Sequence, residues 1–523
     1  MHRILNRRRI AILACVATVV SLSVGATPPP GPPSPSDWPP LSEWASDGPR
    51  RFETLHKGVF GGRKLKYRAT VAETILKDPS GKPAASAFTT AFTATDAGSP
   101  AFRPVIFIYN GGPGGASSTL MLGAFGPKRM TSFTSAALAD PTVPLVDNPF
   151  TVLDTADLVF IDPPDTGFSR RLDGVPPRLF MSINGDSFAV GQLIIHWLTA
   201  NGRLASPIYL AGESYGTLRC VALARDFAQS KVKVDLRGLI LISQAITYNG
   251  PASIASARPM DPFRAVTRLP DIAAVAWYHG KIDNRHQTVE EAVDKAVQFA
   301  DTQYATALLE GNQLDEARRR KVAERLEELT GIPAQYYVTH NLRIRDYRHE
   351  LLKSEGKALA QFDGRETEPL AGLPEDADRD WDAAVGGIDS IMARYAENDL
   401  GVKGLGRYVS VVHDPYGYEE GWTYVVPPAP TLDVVLTDLM NRDPNLRLLI
   451  PQGIFDTTSS MGSTRAMFQQ LEIPGGRVIL TYYAGGHMVY SDLDALKKFM
   501  DDVRVFVRGG RPASTFPHVV PAR

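Results

Sequence analysis

The chain has 523 residues, 44% of them hydrophobic and 22% charged, with a formal net charge of −1. That balance is ordinary for a globular protein and excludes a disordered chain; with no basic run outside the N-terminus it also excludes a nucleic-acid binder. The length suits one large domain carrying an insertion, or several domains, and 40 prolines with 44 glycines argue for many tight turns rather than a helical bundle.

The N-terminus reads as an export signal. Arg7, Arg8 and Arg9 form a positive region, Ile10 to Val20 an apolar stretch, and Val24-Gly25-Ala26 a small-residue cleavage site. The apolar run is short for a membrane span, so cleavage is expected, with no stable membrane insertion afterwards and a secreted or periplasmic product. The arginine run also loosely fits a twin-arginine signal. Cleavage would remove Cys15 and leave only Cys220, so the mature chain could form no internal disulfide. Thr27 to Pro40 is rich in Pro, Gly and Ser and reads as a linker.

Alternating apolar and polar residues over Lys57 to Leu76 and Ala87 to Thr95, with a turn at Pro79 to Lys82, predict antiparallel edge strands in a hairpin. Val105 to Tyr109 is a continuous apolar run, expected for a strand buried on both faces. It ends in Asn110-Gly111-Gly112-Pro113-Gly114-Gly115-Ala116-Ser117-Ser118. A phosphate cradle would need a Gly-Lys-Ser/Thr ending, which is missing, and the dinucleotide pattern is not met. An oxyanion hole is the better reading, with Gly112 and Tyr215 as its backbone donors.

Leu158 to Asp162 is the next buried strand, Ser187 to Thr199 a helix, and Ile208 to Leu210 a short strand. The following Gly212-Glu213-Ser214-Tyr215-Gly216 matches G-x-S-x-G and leads into a helix from Leu218. A strand turning sharply into a helix holds its central serine in strained geometry with the hydroxyl exposed, and needs small flanking residues. Cys220, on that helix, reads as a core residue. Arg219 reads as a surface or helix-capping residue. Leu239 to Ser243 is a further strand.

From about Pro251 to Pro427 the pattern becomes helical and charged, notably over Val289 to Glu310 and Asp315 to Leu329. An insertion covering the site and an independent second domain both fit; Asp414 to Trp422 is a candidate rim loop. The sheet resumes at Leu446 to Ile450, with Asp456 just beyond it, and Arg477 to Tyr483 leads to Gly485-Gly486-His487-Met488. The order Ser214, Asp456, His487 is that of α/β-hydrolases, and predicts that fold: a mostly parallel central sheet with helices on both faces and a largely helical cap insertion. Ser214 would attack, His487 would carry the proton, and Asp456 would orient the imidazole. No metal constellation is present and no cofactor is expected.

The Asn110 loop, Asp162-Pro-Pro-Asp-Thr-Gly-Phe-Ser169, Gly212-Glu-Ser-Tyr-Gly216 and Gly485-Gly-His-Met488 together resemble the serine carboxypeptidases, in a bacterial-type member, from about Val105 to Tyr490. The resemblance implies removal of single residues from peptide or protein C-termini. It implies that Asn110, Gly111 and Glu213 bind the terminal carboxylate and that Met488 lines the leaving-residue pocket. A Glu213 beside a substrate carboxylate must be protonated to donate a hydrogen bond, so binding is expected to be strongest at acidic pH. The chain departs from the family pattern at Gly115, where a cysteine is usual, at Thr217, where a glycine is usual, and at Ala124, where an ungapped count places a second glutamate. These departures keep open an esterase or acyltransferase with the same triad, and an inactive binding protein as a further alternative. The predicted organisation is a signal peptide over 1–26, a linker over 27–40, a hydrolase core over 41–250 and 428–510, a helical insertion over 251–427, and a tail over 511–523.

Overall fold

The computed structural model describes residues 48–246, 262–373, 381–412, 422, 431–473 and 475–513. The proposed export signal and linker lie outside them, as do residues 414–421 of the rim loop. Three strands open the fold: β1 (Arg51–Phe60), β2 (Arg63–Lys77) and β3 (Pro83–Ala94), each antiparallel to the next. Two corrections to the sequence reading follow. The alternation over Lys57 to Leu76 is broken by a hairpin turn at Gly61-Gly62, both at positive φ, which joins β1 to β2. β3 is also not an edge strand, because it pairs with β5 (Asp157–Asp162), so β1 carries the exposed edge.

The remaining strands are β4 (Val105–Tyr109), β6 (Pro207–Glu213), β7 (Asp235–Ile242), β8 (Arg447–Gly453) and β9 (Val478–Tyr483). The sheet runs β1-β2-β3-β5-β4-β6-β7-β8-β9, with Arg170–Arg171 pairing beside β3. From β5 to β9 every pairing is parallel. Parallel strands need covered faces, and the sequence supplies apolar residues at every position of β4. Val105, Phe107 and Tyr109 enter the hydrophobic cluster on one face, Ile106 and Ile108 that on the other.

The first face is covered by α1 (Ile183–Ala200) and α2 (Tyr215–Gln229). Ser182 starts α1 by accepting a hydrogen bond from the Gly185 N–H at 3.0 Å. Between β7 and β8 lie α3 (Pro262–Tyr278), α4 (Val289–Phe299), α5 (Glu316–Thr330) and α6 (Trp381–Asn398), with a small antiparallel pair at 357–359 and 367–369. Thr288 and Glu291 form a capping box at the start of α4. Apolar side chains of α3, α4 and α5 join the same cluster as those of α1 and α2, while the charged side of α5 faces solvent. α7 (Leu432–Arg442), α8 (Met461–Gln470) and α9 (Leu493–Val507) complete the chain, and α9 packs on the second face.

Because β4, β6, β8 and β9 are parallel, their C-terminal ends share one side of the sheet. Asn110, Ser214, Asp456 and His487 stand just past those ends, where open α/β sheets place their ligands.

Candidate active site

Ser214 joins β6 to α2 with φ 56° and ψ −124°, a conformation that L-residues avoid. The neighbouring glycines make the turn possible. A Cβ on Gly212 would lie 2.2 Å from the Gly216 carbonyl oxygen, and one on Gly216 would lie 3.0 Å from that of Asn110. The Ser214 N–H donates to the Ile242 carbonyl at 3.0 Å, which locks the turn to β7. Thr217 adds a second tie: its hydroxyl donates to the Ser214 carbonyl at 2.7 Å and accepts from the Ala245 N–H at 3.0 Å.

The glycine-rich loop lies directly against this turn. A Cβ on Gly111 would meet Tyr215 N at 2.6 Å and the Ser214 Cβ at 2.9 Å. Gly112 follows at φ 106° and is joined to Pro113 by a cis peptide. Tyr215 is the first residue of α2, where backbone N–H groups have no partner within the helix. Asn110 fastens the loop at three atoms. Its Oδ1 accepts from the Leu120 N–H at 3.1 Å, its Nδ2 donates to Glu213 Oε1 at 3.1 Å, and its carbonyl accepts from Arg219 Nη1 at 2.8 Å. Asp162, the last residue of β5, holds the far side of the loop by accepting from the Ser117 N–H and hydroxyl at 2.9 and 2.7 Å.

The surface reading of Arg219 is overturned. Its side chain is 1% exposed and pairs with Asp186 at 2.7 Å, while the Tyr215 hydroxyl donates to the same carboxylate at 3.1 Å. The guanidinium also faces the rings of Tyr109 and Tyr215. Its charge is neutralised and its donors are used, which is what permits burial. Cys220 is buried as expected; burial raises its thiol pKa to about 12, so the sulfur is inert at neutral pH.

Asp456 and His487 meet on loops beyond β8 and β9, with Nδ1 and Oδ2 2.9 Å apart. Asp456 is fully buried and accepts from the N–H groups of Thr458 and Ser459 at 2.7 and 2.8 Å, and from Gln452 Nε2 at 3.1 Å. These donors fix its orientation. The histidine backbone is anchored at both groups: its N–H donates to the Phe362 carbonyl at 2.7 Å and its carbonyl accepts from the Ser243 hydroxyl at 2.6 Å. Burial disfavours the imidazolium, but the Asp456 charge and hydrogen bond outweigh it, so the His487 pKa is raised.

Glu213 is 5% exposed. Burial raises its carboxyl to a pKa of about 7, against the opposing pull of His487 and of polar neighbours. Its Oε2 is buried without a hydrogen-bond partner. Glu213 and His487 lie near enough for each charge to act on the other's pKa. Met488 follows the histidine, buried in the apolar cluster of the second face, and Trp422 stands edge-on to Tyr215 with ring centroids 5.2 Å apart.

The sequence reading missed Asp186, Ser243, Phe362, Gln452 and Tyr490. None carries a local motif. Asp186, Ser243 and Phe362 reach the site from other segments, Gln452 and Tyr490 from beside Asp456 and His487, and only the arginine inside the apolar face of α2 hinted at a buried acidic partner. Among the described residues no cluster of His, Cys, Asp and Glu could hold a metal ion, and no helix is long and apolar enough to cross a membrane.

A model of the serine carboxypeptidase family matches residues 82–489. The chain belongs to the serine carboxypeptidase family. Its enzyme class is therefore serine-type carboxypeptidase and its fold the α/β-hydrolase fold. The solved structure of Kex1, a prohormone-processing carboxypeptidase from Saccharomyces cerevisiae, matches with a TM-score of 0.52 at 16% identity, covering 84% of this chain and 91% of that one. The rice cell wall degrading esterase LipA from Xanthomonas oryzae matches with a TM-score of 0.35 at 14% identity, covering 89% of this chain and 97% of that one. No curated protein matches the chain.

Proposed function

We propose that this serine carboxypeptidase is exported and cleaves the last peptide bond of its substrates through an acyl-enzyme formed on Ser214, with His487 and Asp456 completing a triad. The Ser214 oxygen attacks the scissile carbonyl while the imidazole of His487 takes its proton. Asp456 holds Nδ1 and stabilises the imidazolium. The N–H groups of Gly112 and Tyr215 face the developing oxyanion. Collapse of the tetrahedral intermediate expels the C-terminal amino acid, whose nitrogen receives the proton from His487, and water then releases the acyl group by the same steps in reverse. Asn110, Gly111 and Glu213 hold the α-carboxylate of the leaving residue, and Met488 lines the pocket for its side chain. The domain plan, with residues 251–427 as a cap over the site, belongs to the same reading.

One observation carries the exopeptidase reading: Glu213 keeps a buried, unpartnered oxygen beside Asn110 and directly before the nucleophile. An unpaired buried acceptor is costly unless it is protonated or meets a ligand donor or acceptor. With its pKa raised to about 7, Glu213 is a neutral acid over the acidic range and donates to a carboxylate. Export rests on the arginine-led apolar stretch of residues 7–26. Labelling with a fluorophosphonate probe tests the nucleophile: the wild type is expected to label and Ser214→Ala not to. Labelling that persists in the variant would move the nucleophile elsewhere.

A further inference from the structure

Ala124, where the sequence reading placed the missing second acid, is fully buried, and its carbonyl accepts a hydrogen bond from Asn148 Nδ2 at 2.7 Å. A methyl group there offers Glu213 no hydrogen bond. A different side chain approaches the carboxyl from the histidine loop. Tyr490 is 2% exposed, and its hydroxyl points into the group formed by Glu213, Asn110 and Thr119. Neither this hydroxyl nor Glu213 Oε2 closes a hydrogen bond in the free protein. Both oxygens are thus buried and unpartnered, and each group acts on the other's pKa.

The ring is held there by shape. A Cβ on Gly123 would lie 2.3 Å from Tyr490 Cε2, so the phenol lies in a place that only glycine leaves open. Phe133 closes the other side, edge to face, with ring centroids 5.4 Å apart. The seat fixes the direction of the O–H bond vector's origin and leaves the hydroxyl rotor as the free variable.

We propose that Tyr490 is the positioning partner of Glu213, its phenol supplying the hydrogen bond that a second acid at position 124 would otherwise provide. The inference rests on the carboxylate-clamp reading above. A phenol differs from an acid in one respect that matters. Two acids share one proton and titrate as a pair, whereas burial holds Tyr490 neutral far above the working range. Glu213 then shares its proton with no second acid and titrates in the field of the groups around it: His487, to which it is coupled, and Asp456 from the loops beyond β9 and β8, the Asn110 amide from the loop after β4, and the Arg219–Asp186 pair behind that loop. A phenol that donates to the ionised carboxylate favours ionisation and sets how high in pH the clamp survives.

The test is the pH dependence of KM for a blocked dipeptide with a free C-terminus, in wild type, Tyr490→Phe and Glu213→Gln, with the C-terminal amide as reference. Tyr490→Phe keeps the ring on Gly123, so at acidic pH, where Glu213 is protonated, its melting temperature should match that of wild type. The wild type is expected to lose affinity for the acid above about pH 7. In Tyr490→Phe that loss should move up by about one pH unit, with KM at acidic pH and KM for the amide unchanged. Glu213→Gln should show no such loss. A Tyr490→Phe profile that superimposes on wild type would overturn the proposal and leave the clamp standing. A wild type with no preference for the acid over the amide would remove the clamp reading, and the proposal with it.

Discussion

At the scale of single residues catalysis turns on four side chains and their protons. Ser214→Ala is expected to lower kcat roughly a million-fold with little change in substrate binding, measured by single-turnover kinetics. Asp456→Asn should lower kcat by roughly 10⁴-fold, because the amide stabilises the wrong imidazole tautomer. Glu213 and His487 both titrate above their ordinary values and influence each other, so they behave as a coupled pair. Catalysis on a peptide acid needs Glu213 protonated and His487 neutral. Raising the pH through about 7 ionises Glu213 and sets two carboxylates against each other. The expected result is that KM for the peptide acid rises above pH 7 while KM for the matching amide or ester stays level.

At the scale of elements, the site is assembled by strand ends and held by buried ties between them. The Arg219–Asp186 pair fastens α2 to α1 and to the Asn110 carbonyl. Arg219→Met would leave Asp186 buried and uncompensated, and should destabilise the protein by about 3–5 kcal/mol. The double variant Arg219→Met, Asp186→Leu should recover most of that loss, as read by urea unfolding. This is also where the sequence proved legible only in part. The Ser214 turn, the loop after β4 and the Asp456 and His487 loops could be read because each ends a strand with a distinctive local pattern, and strand order then brings them together. Arg219 could not, because a charged residue reads as surface unless its partner is visible, and Asp186 lies on a different helix. β3 was misplaced for a similar reason: alternation marks one buried face but cannot say which strand lies alongside. Tyr490 escaped notice because what gives it meaning is Gly123, and no local pattern links them. Thr217 reads from sequence as a departure, and in the fold it ties the elbow to the segment after β7.

At the scale of the whole molecule, buried acids set the dependence of stability on pH. Glu213 and Asp271 have folded-state pKa values raised to about 7 and about 6, chiefly by burial. A group raised on folding stabilises the protein below its unfolded pKa, and that contribution is lost as pH rises through the folded value. His487, also raised, acts in the same direction. Glu73, whose pKa is lowered because hydrogen bonds from Arg50 and Ser86 outweigh its burial, acts oppositely and loses its contribution as pH falls. The melting temperature is therefore expected to be higher near pH 5 than near pH 8, and scanning calorimetry across that range checks it. A flat profile would mean that the buried acids are stabilised by contacts other than those described.

The central claim is that the nucleophile at the strand–helix turn works on peptides through recognition of a free C-terminus. The most direct test is hydrolysis of a blocked dipeptide with a free C-terminus beside its C-terminal amide, at the pH of maximal turnover, with Ser214→Ala as control. Rapid cleavage of the acid, much slower cleavage of the amide and loss of both in the variant are predicted. Equal cleavage of acid and amide, or turnover only of a simple ester, would contradict the assignment of Asn110 and Glu213 to the carboxylate even if Ser214 remained essential.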